Sequence, residues 1–204
     1  MKYIVGTDED QFEPNSNDVV LKNKLAITSA EDMDDAENIL LLKLYEFIFQ
    51  PEFSIAELSV EDIQTWHRKW LGNIYNWAGQ IRTVNMGKAD FEFAAAMAIP
   101  RLFEKYEKNY LMSYSELGSF NPDALVTYLA ETHIEFILIH PFREGNGRIS
   151  RLLMDVMATQ AGFGPLDYSL WEQHKEFYFK SIQAGHAGDY QHMERLVRDI
   201  LLSE

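Results

Sequence analysis

The sequence predicts an all-α bundle of helices with one short β-hairpin. Three observations carry that fold class. Apolar residues recur at helical spacing, between recognisable caps, along most of the chain. One stretch, 81–93, departs from that spacing and is rich in strand-forming residues. No internal repeat or low-complexity linker interrupts the 204 residues, of which 47% are hydrophobic and 25% charged, so the chain is long enough to bury a core of its own.

Residues 1–30 show no sustained periodicity, and Pro14-Asn15-Ser16-Asn17 reads as loop. Glu31, Asp32, Asp34 and Asp35 then lead into an apolar run from Ile39 to Phe47. Acids at a helix start suit the positive end of its dipole, so a helix is expected over about 34–49, ending near Pro51. Ser59 is an N-cap with Asp62 at N3; its helix runs to about Leu71 with Ile63, Trp66, His67 and Trp70 on one face. Gly72 and Gly79 bracket a turn. Ile81, Thr83, Val84, Phe91 and Phe93 favour strand around a Gly87-Lys88-Ala89-Asp90 turn. Such a hairpin is marginal alone and must pack on helices or move.

Helical spacing resumes over 94–108, where Pro100 signals a break or kink. Asn121 caps a helix with Pro122 at its first position, and its end, Phe136–Ile139, is apolar all round and expected to be buried. Another helix follows Gly147 and stops at Gly162, Gly164 and Pro165. Two more are expected over about 169–184 and 189–202, capped by Ser169 and Asp189.

Charge and composition exclude several functions. The net charge is −14, which argues against nucleic acid or an anionic membrane surface as partner. Residues 1–66 hold 4 lysines, no arginine and 15 acids, whereas 67–204 hold 14 basic against 17 acidic residues. There is no cysteine, hence no disulfide framework, thiol nucleophile or thiolate-bound metal. No apolar run spans a membrane, and no signal peptide is evident, so a cytoplasmic location is expected.

The chemistry concentrates in His140-Pro141-Phe142-Arg143-Glu144-Gly145-Asn146-Gly147-Arg148-Ile149-Ser150-Arg151, a polar stretch entered from an apolar helix. Gly145 and Gly147 permit positive φ and close backbone approach. The helix start that follows leaves N–H groups unpaired, and the two features together make an anion cradle. Arg148 and Arg151, three apart, share one helix face and suit a polyphosphate. Glu144 supplies an oxygen ligand of the kind magnesium takes beside a triphosphate. His140 can accept a proton near neutral pH. Phosphoryl or nucleotidyl transfer needs little more, because its catalysis is mostly positioning and charge stabilisation. Taken singly, each feature has a plain structural reading as a turn, a helix cap or a solvated face; their coincidence in 12 residues favours a site. Walker A and His-Glu-x-x-His patterns are absent.

The stretch resembles the signature of the Fic family, His-x-Phe-x-(Asp/Glu)-Gly-Asn-Gly-Arg-x-x-Arg, at His140, Phe142, Glu144, Gly145, Asn146, Gly147, Arg148 and Arg151. Trp77-Ala78-Gly79-Gln80-Ile81-Arg82 is similar to the family's segment leading into its hairpin. The resemblance implies a Fic domain over 34–204, preceded by an acidic extension, 1–33. It implies a protein adenylyltransferase that moves AMP from ATP, with Mg2+, to a Tyr, Thr or Ser hydroxyl of a target protein. In that reading His140 is the base, Glu144 binds magnesium, and Gly145, Asn146 and Gly147 hold the α- and β-phosphates. Arg148 takes the β-phosphate side, Arg151 the γ-phosphate, and Phe142 anchors the loop. The hairpin, with Thr83, Val84, Asn85, Met86, Gly87 and Lys88, becomes a flap that docks the target by strand addition. Lys88 reads equally as a phosphate or target contact and as a solvated turn residue. Tyr178 is placed in the adenosine pocket, with packing as its plain alternative.

Many members are silenced by a Ser/Thr-x-x-x-Glu-Gly/Asn helix, a pattern this sequence lacks. The resemblance is therefore to stand-alone bacterial FicT toxins without an internal inhibitory helix, restrained by a small antitoxin. Two other readings stand beside it: transfer of another nucleotide or phosphate moiety, and a non-catalytic nucleotide-binding interaction module. The related Doc proteins phosphorylate, but their motif departs at the Gly-Asn-Gly-Arg positions that match here.

Overall fold

The computed structural model of the protein describes residues 8–51, 55–88 and 91–202. Among these, eight α-helices and one two-stranded antiparallel sheet form an all-α bundle with a hairpin. The helices are α1 (Ala30–Ile48), α2 (Val60–Leu71), α3 (Ile99–Asn109), α4 (Pro122–Ile139), α5 (Asn146–Gln160), α6 (Ser169–Gln173), α7 (Lys175–His186) and α8 (Gln191–Leu201). The strands are β1 (Gly87–Lys88) and β2 (Phe91–Glu92), with Gly87 opposite Glu92 and Lys88 opposite Phe91.

α4 is the centre. It packs on α3, α5, α7 and α8, while α1 lies on α2 and α2 on α5. Leu125, Val126, Leu129, Ile134 and Phe136 are fully enclosed, and of the apolar end of α4 Phe136, Ile137 and Ile139 are buried and Leu138 partly so. Trp70, Trp171, Tyr106 and Phe142 fill the spaces between helices. Burial of this kind contributes roughly 1.5–3 kcal/mol per large apolar side chain before entropy is counted.

The caps explain most boundaries. Ser59 accepts from the Asp62 N–H while the Asp62 carboxylate accepts from the Ser59 N–H at 2.9 Å, a complete capping box. Asn121 Oδ1 accepts from the Ala124 N–H at 2.9 Å, with Pro122 in the first turn as expected.

Several elements differ from expectation. α1 begins at Ala30, not 34, because Ser29 caps it by accepting from Asp32 N–H. Pro100 does not break a helix; it sits in the first turn of α3, where its missing N–H is harmless, and a 3₁₀ turn, Ala96–Ala98, precedes it. The expected helix over 169–184 is split at His174, and Ser169 is the first residue of α6, not its cap. Asp189 lies one residue before the N-cap, Tyr190, and its carboxylate accepts from the Gln191 N–H. Leu111–Ser119 forms a 3₁₀ segment that the apolar spacing did not signal. Gly87 and Lys88 belong to a strand and not to the turn, whose remaining residues, 89 and 90, lie outside the described residues. Ile81, Thr83 and Val84 are not strand; they form the root of the hairpin.

Candidate active site

The turn from α4 into α5 is built by its own residues. α4 ends at His140, whose φ of 48° is left-handed, and Gly145, φ 82°, opens α5. A Cβ on Gly145 would stand 2.6 Å from Trp70 Cζ3, so close packing and dihedral both require glycine. Asn146 is buried and closes the turn: its Oδ1 accepts from Phe142 N–H at 2.9 Å and its Nδ2 donates to Phe142 carbonyl at 2.8 Å. The Asn146 amide is thus committed to the loop, leaving its backbone to face a ligand. The first helical bond runs from Ile149 N–H to the Gly145 carbonyl, so the N–H groups of residues 146–148 have no helical acceptor.

Phe142 is fully buried against Phe103 and Phe136, as an anchor should be. Its ring also stacks on His67, centroids 3.9 Å apart. His67 is a buried imidazole whose Nδ1 accepts from Gly79 N–H at 2.8 Å and whose Nε2 lies 3.0 Å from the Glu144 carbonyl. These partners define its tautomer: Nε2 carries the proton. Burial, reinforced by Arg148 and opposed by the Glu144 bond, holds its pKa down to about 4. His67 is therefore a neutral strut between α2, the 72–80 turn and the motif.

A cavity of about 580 Å³ opens above this turn. His140, Glu144, Gly145, Asn146, Gly147 and Arg151 line one side, Tyr178, Phe179, Ile182 and Gln183 another, and Met86, Gly87, Lys88, Phe91 and Phe93 of the hairpin a third. A Cβ on Gly147 would meet nothing within 4 Å, so the backbone there lies open to a ligand. Thr83, Val84 and Asn85 sit at the hairpin root, outside the cavity wall.

His140 Nδ1 is 3.3 Å from the Ile137 carbonyl, which can only accept, so Nδ1 carries the proton and Nε2 keeps its lone pair. Burial lowers its pKa to about 4, against the Ile137 bond and helped by Arg82 and Lys88. The imidazole is neutral at pH 7 and able to accept a proton. Phe93 stacks on it at 3.6 Å between centroids.

The arginines divide. Arg151 faces the cavity and is ion-paired with Glu172 of α6 at 2.7 Å, its guanidinium over the Tyr168 ring. Arg148 does not line the cavity. It turns to Glu37 of α1 at 2.5 Å, reaches Glu144 at 3.4 Å and stacks on Trp70. Glu37 is buried, which raises its pKa against the pull of Arg148, and it accepts from Tyr75 hydroxyl at 2.8 Å. Glu144 is half-exposed and accepts from the Gly145 N–H at 2.8 Å. Tyr178 lines the cavity, its hydroxyl 2.8 Å from His133 Nε2 and its ring stacked on Trp171. Lys88 lies over the Phe179 ring at 4.1 Å, tying the hairpin to α7.

A sequence model described as the Fic/DOC family matches residues 57–158, half of the chain. The chain belongs to that family. Among curated proteins, a "Protein adenylyltransferase Fic" of Nematostella vectensis is 28% identical over 182 residues, covering 87% of this chain and 40% of that protein. One of the same description from Drosophila grimshawi is 26% identical over 88% of this chain and 36% of its own length. The chain thus spans two-fifths or less of these two relatives. Among solved structures, the BepC effector protein of Bartonella tribocorum with bound AMPPNP superposes with a TM-score of 0.72 at 23% identity, covering 89% of this chain and 92% of that one. The N-terminal Fic domain of a Bartonella quintana effector with bound ADP gives a TM-score of 0.74 at 24% identity, covering 93% and 92%. These neighbours share the Fic fold.

His67, Arg82, Phe93, Glu37 and Glu172 are the residues of this site that motif reading did not assign a role. The signal for His67 was present as a polar residue on the apolar face of α2. The pairings of Glu37 with Arg148 and of Glu172 with Arg151 gave none, because those partners lie far off in sequence.

Proposed function

We propose that this Fic domain transfers AMP from ATP to a Tyr, Thr or Ser hydroxyl of a target protein. The observation that carries the reading is the single cavity that brings a neutral His140, with Nε2 unprotonated, beside a glycine-lined helix start and Arg151. The acceptor oxygen attacks the α-phosphorus, the bond to the β-phosphate oxygen breaks, and pyrophosphate leaves. The hydroxyl proton passes to His140 Nε2. The N–H groups opening α5 and the Arg151 guanidinium hold phosphate charge, and Arg151 exchanges Glu172 for a phosphate oxygen. Arg148 supports the cradle from the α1 side; a direct phosphate contact would require it to leave Glu37. Tyr178 forms part of the nucleoside wall, and the hairpin presents its edge to the target chain.

Glu144 fits magnesium. It is a half-exposed carboxylate lining the cavity, and magnesium beside a polyphosphate takes one or two carboxylates. When bound, that ion neutralises phosphate charge.

The proposal extends to a toxin-like protein of the bacterial cytoplasm inhibited by a small antitoxin. Support comes from the missing Ser/Thr-x-x-x-Glu-Gly/Asn pattern. An antitoxin carboxylate aimed at Arg151 would have to displace Glu172. No helix among the described residues is long and apolar enough to cross a membrane. We also read 1–33 as an extension whose described part is strapped to the domain, since the Glu9 carboxylate accepts from Thr83 N–H at 2.9 Å and the Glu9 carbonyl from Arg143 Nε at 2.9 Å.

Labelled ATP tests the reaction. Transfer of α-phosphate label to protein is expected. Transfer of γ-label alone would mean phosphorylation, and transfer of neither would mean a binding module.

A further inference from the structure

Arg82 is 2% exposed, yet among the described residues no carboxylate is hydrogen-bonded to its guanidinium. Charged side chains are almost never this buried unless paired. Removing a cation from water costs several kcal/mol, and an apolar side chain of similar volume would fill the space more cheaply. Among the described residues every acceptor of the Arg82 guanidinium is a backbone carbonyl. Nε donates to His140 at 2.6 Å, Nη1 to Val84 at 2.5 Å, and Nη2 to Ala94 at 2.6 Å and Ile139 at 3.4 Å. The Arg82 N–H donates to Pro141 carbonyl at 2.9 Å. Glu9 faces the guanidinium from further off and favours its charge.

These carbonyls form two groups. Ile139 and His140 close α4, where the last carbonyls lack helical donors and the dipole favours a cation. Val84 and Ala94 are the two roots of the hairpin, on either side of β1 and β2. Between β2 and Ala94 lies Phe93, the ring stacked on the His140 imidazole at an interplanar angle of 10°. The Ala94 N–H also donates to the Leu138 carbonyl at 3.1 Å. His140 itself holds a left-handed φ of 48°, a conformation unfavourable for a non-glycine residue that persists only when its surroundings enforce it.

We infer that Arg82 is a positioning residue that joins the hairpin to His140, its planar guanidinium fixing both hairpin roots and the backbone of the base as one unit. Lysine cannot replace it, because an ammonium is a point charge and cannot span carbonyls arranged around a fork. A target strand that seats on the hairpin is thereby held in register with Nε2. The inference rests on the AMP-transfer reading for its catalytic consequence, while the mechanical coupling stands on geometry alone.

The test is Arg82→Lys, with two readouts. The first is nuclear magnetic resonance of the His140 ring protons, which in the wild type are displaced by the ring current of the stacked Phe93. The variant is expected to lose that displacement while its ATP affinity, measured by calorimetry, is unchanged. The second is transfer of α-labelled AMP to lysate protein, expected to fall about a hundredfold in kcat, the cost of an ångström-scale misplacement, with KM for ATP unaltered. If the ring shift and transfer both match wild type, Arg82 is not a coupler. If the wild type transfers no AMP, the reaction assignment fails, and the ring shift still decides the coupling. Should Arg82→Lys not fold, amide exchange of the wild type decides. Phe93, Ala94 and His140 amides are expected to open together, and independent opening would overturn the inference.

Discussion

Replacing His67 with phenylalanine isolates the strut beneath the motif. Phenylalanine keeps a planar aromatic ring for the stack on Phe142, one ring atom larger than the imidazole, and removes the bonds to Gly79 N–H and the Glu144 carbonyl, 2.8 and 3.0 Å long. Each buried backbone group left without a partner costs about 1–3 kcal/mol, so the folded state should lose ~2–6 kcal/mol. With a urea slope of about 3 kcal/mol/M for a chain of this size, the unfolding midpoint should drop by about 1–2 M at pH 7. The loss should also depend on pH. The folded His67 pKa is about 4 against an ordinary 6.5, so below pH 6.5 the unfolded chain takes a proton that the folded chain refuses. Stability contributed at this site is present above pH 6.5 and is lost as pH falls towards 4, by roughly 3 kcal/mol in full. The gap between wild type and His67→Phe should therefore narrow on acidification. His140 and His133, lowered to about 4 and about 3, act in the same direction. Glu37 and Asp155, raised by burial, act in the opposite direction, and all four groups persist in the variant and cancel from the comparison. An unchanged midpoint, or a gap constant between pH 7 and 4.5, would refute the assignment of His67 as a neutral double-bonded strut.

Other outcomes follow from the same geometry. Gly145→Ala meets Trp70 at 2.6 Å in a φ of 82°, so it should lower stability by at least about 2 kcal/mol in thermal melts and abolish ATP binding. Glu172→Gln releases Arg151 from a half-exposed ion pair; stability should change by less than about 1 kcal/mol, while calorimetry should show tighter ATP binding. Because His140 stays neutral down to about pH 4, the rate of AMP transfer should not fall between pH 7.5 and 6 as it would for an ordinary imidazole; a midpoint near 6.5 would contradict that.

Much of the fold was legible because its signals are local. Ser59 with Asp62 and Asn121 with Pro122 act within four residues, and the helix starts lie where those residues are. The hairpin was recognisable by composition, but its strands are only two residues long, and below them the root is held by one more backbone bond, from Phe93 N–H to the Met86 carbonyl at 3.1 Å, together with the Arg82 guanidinium. The site was legible in its residue types and less so in their directions. Arg148 and Arg151 share a helix face, yet Glu37 draws one to α1 and Glu172 draws the other to the cavity side. Asn146 was read with the backbone of residues 145–147 as holding phosphate, and what the spacing did not show is that its side-chain amide is used on Phe142. Long-range partners decide such orientations, and spacing along the chain carries no trace of them.

In the proposed reaction His140 is the base for AMP transfer from ATP. The direct measurement is transfer of α-labelled ATP to lysate protein by wild type and His140→Ala side by side, with ATP affinity measured on both. Labelling by wild type, its loss in His140→Ala, and equal ATP affinity are the predicted results. Equal labelling by both proteins, or none by either despite bound ATP, would contradict the account.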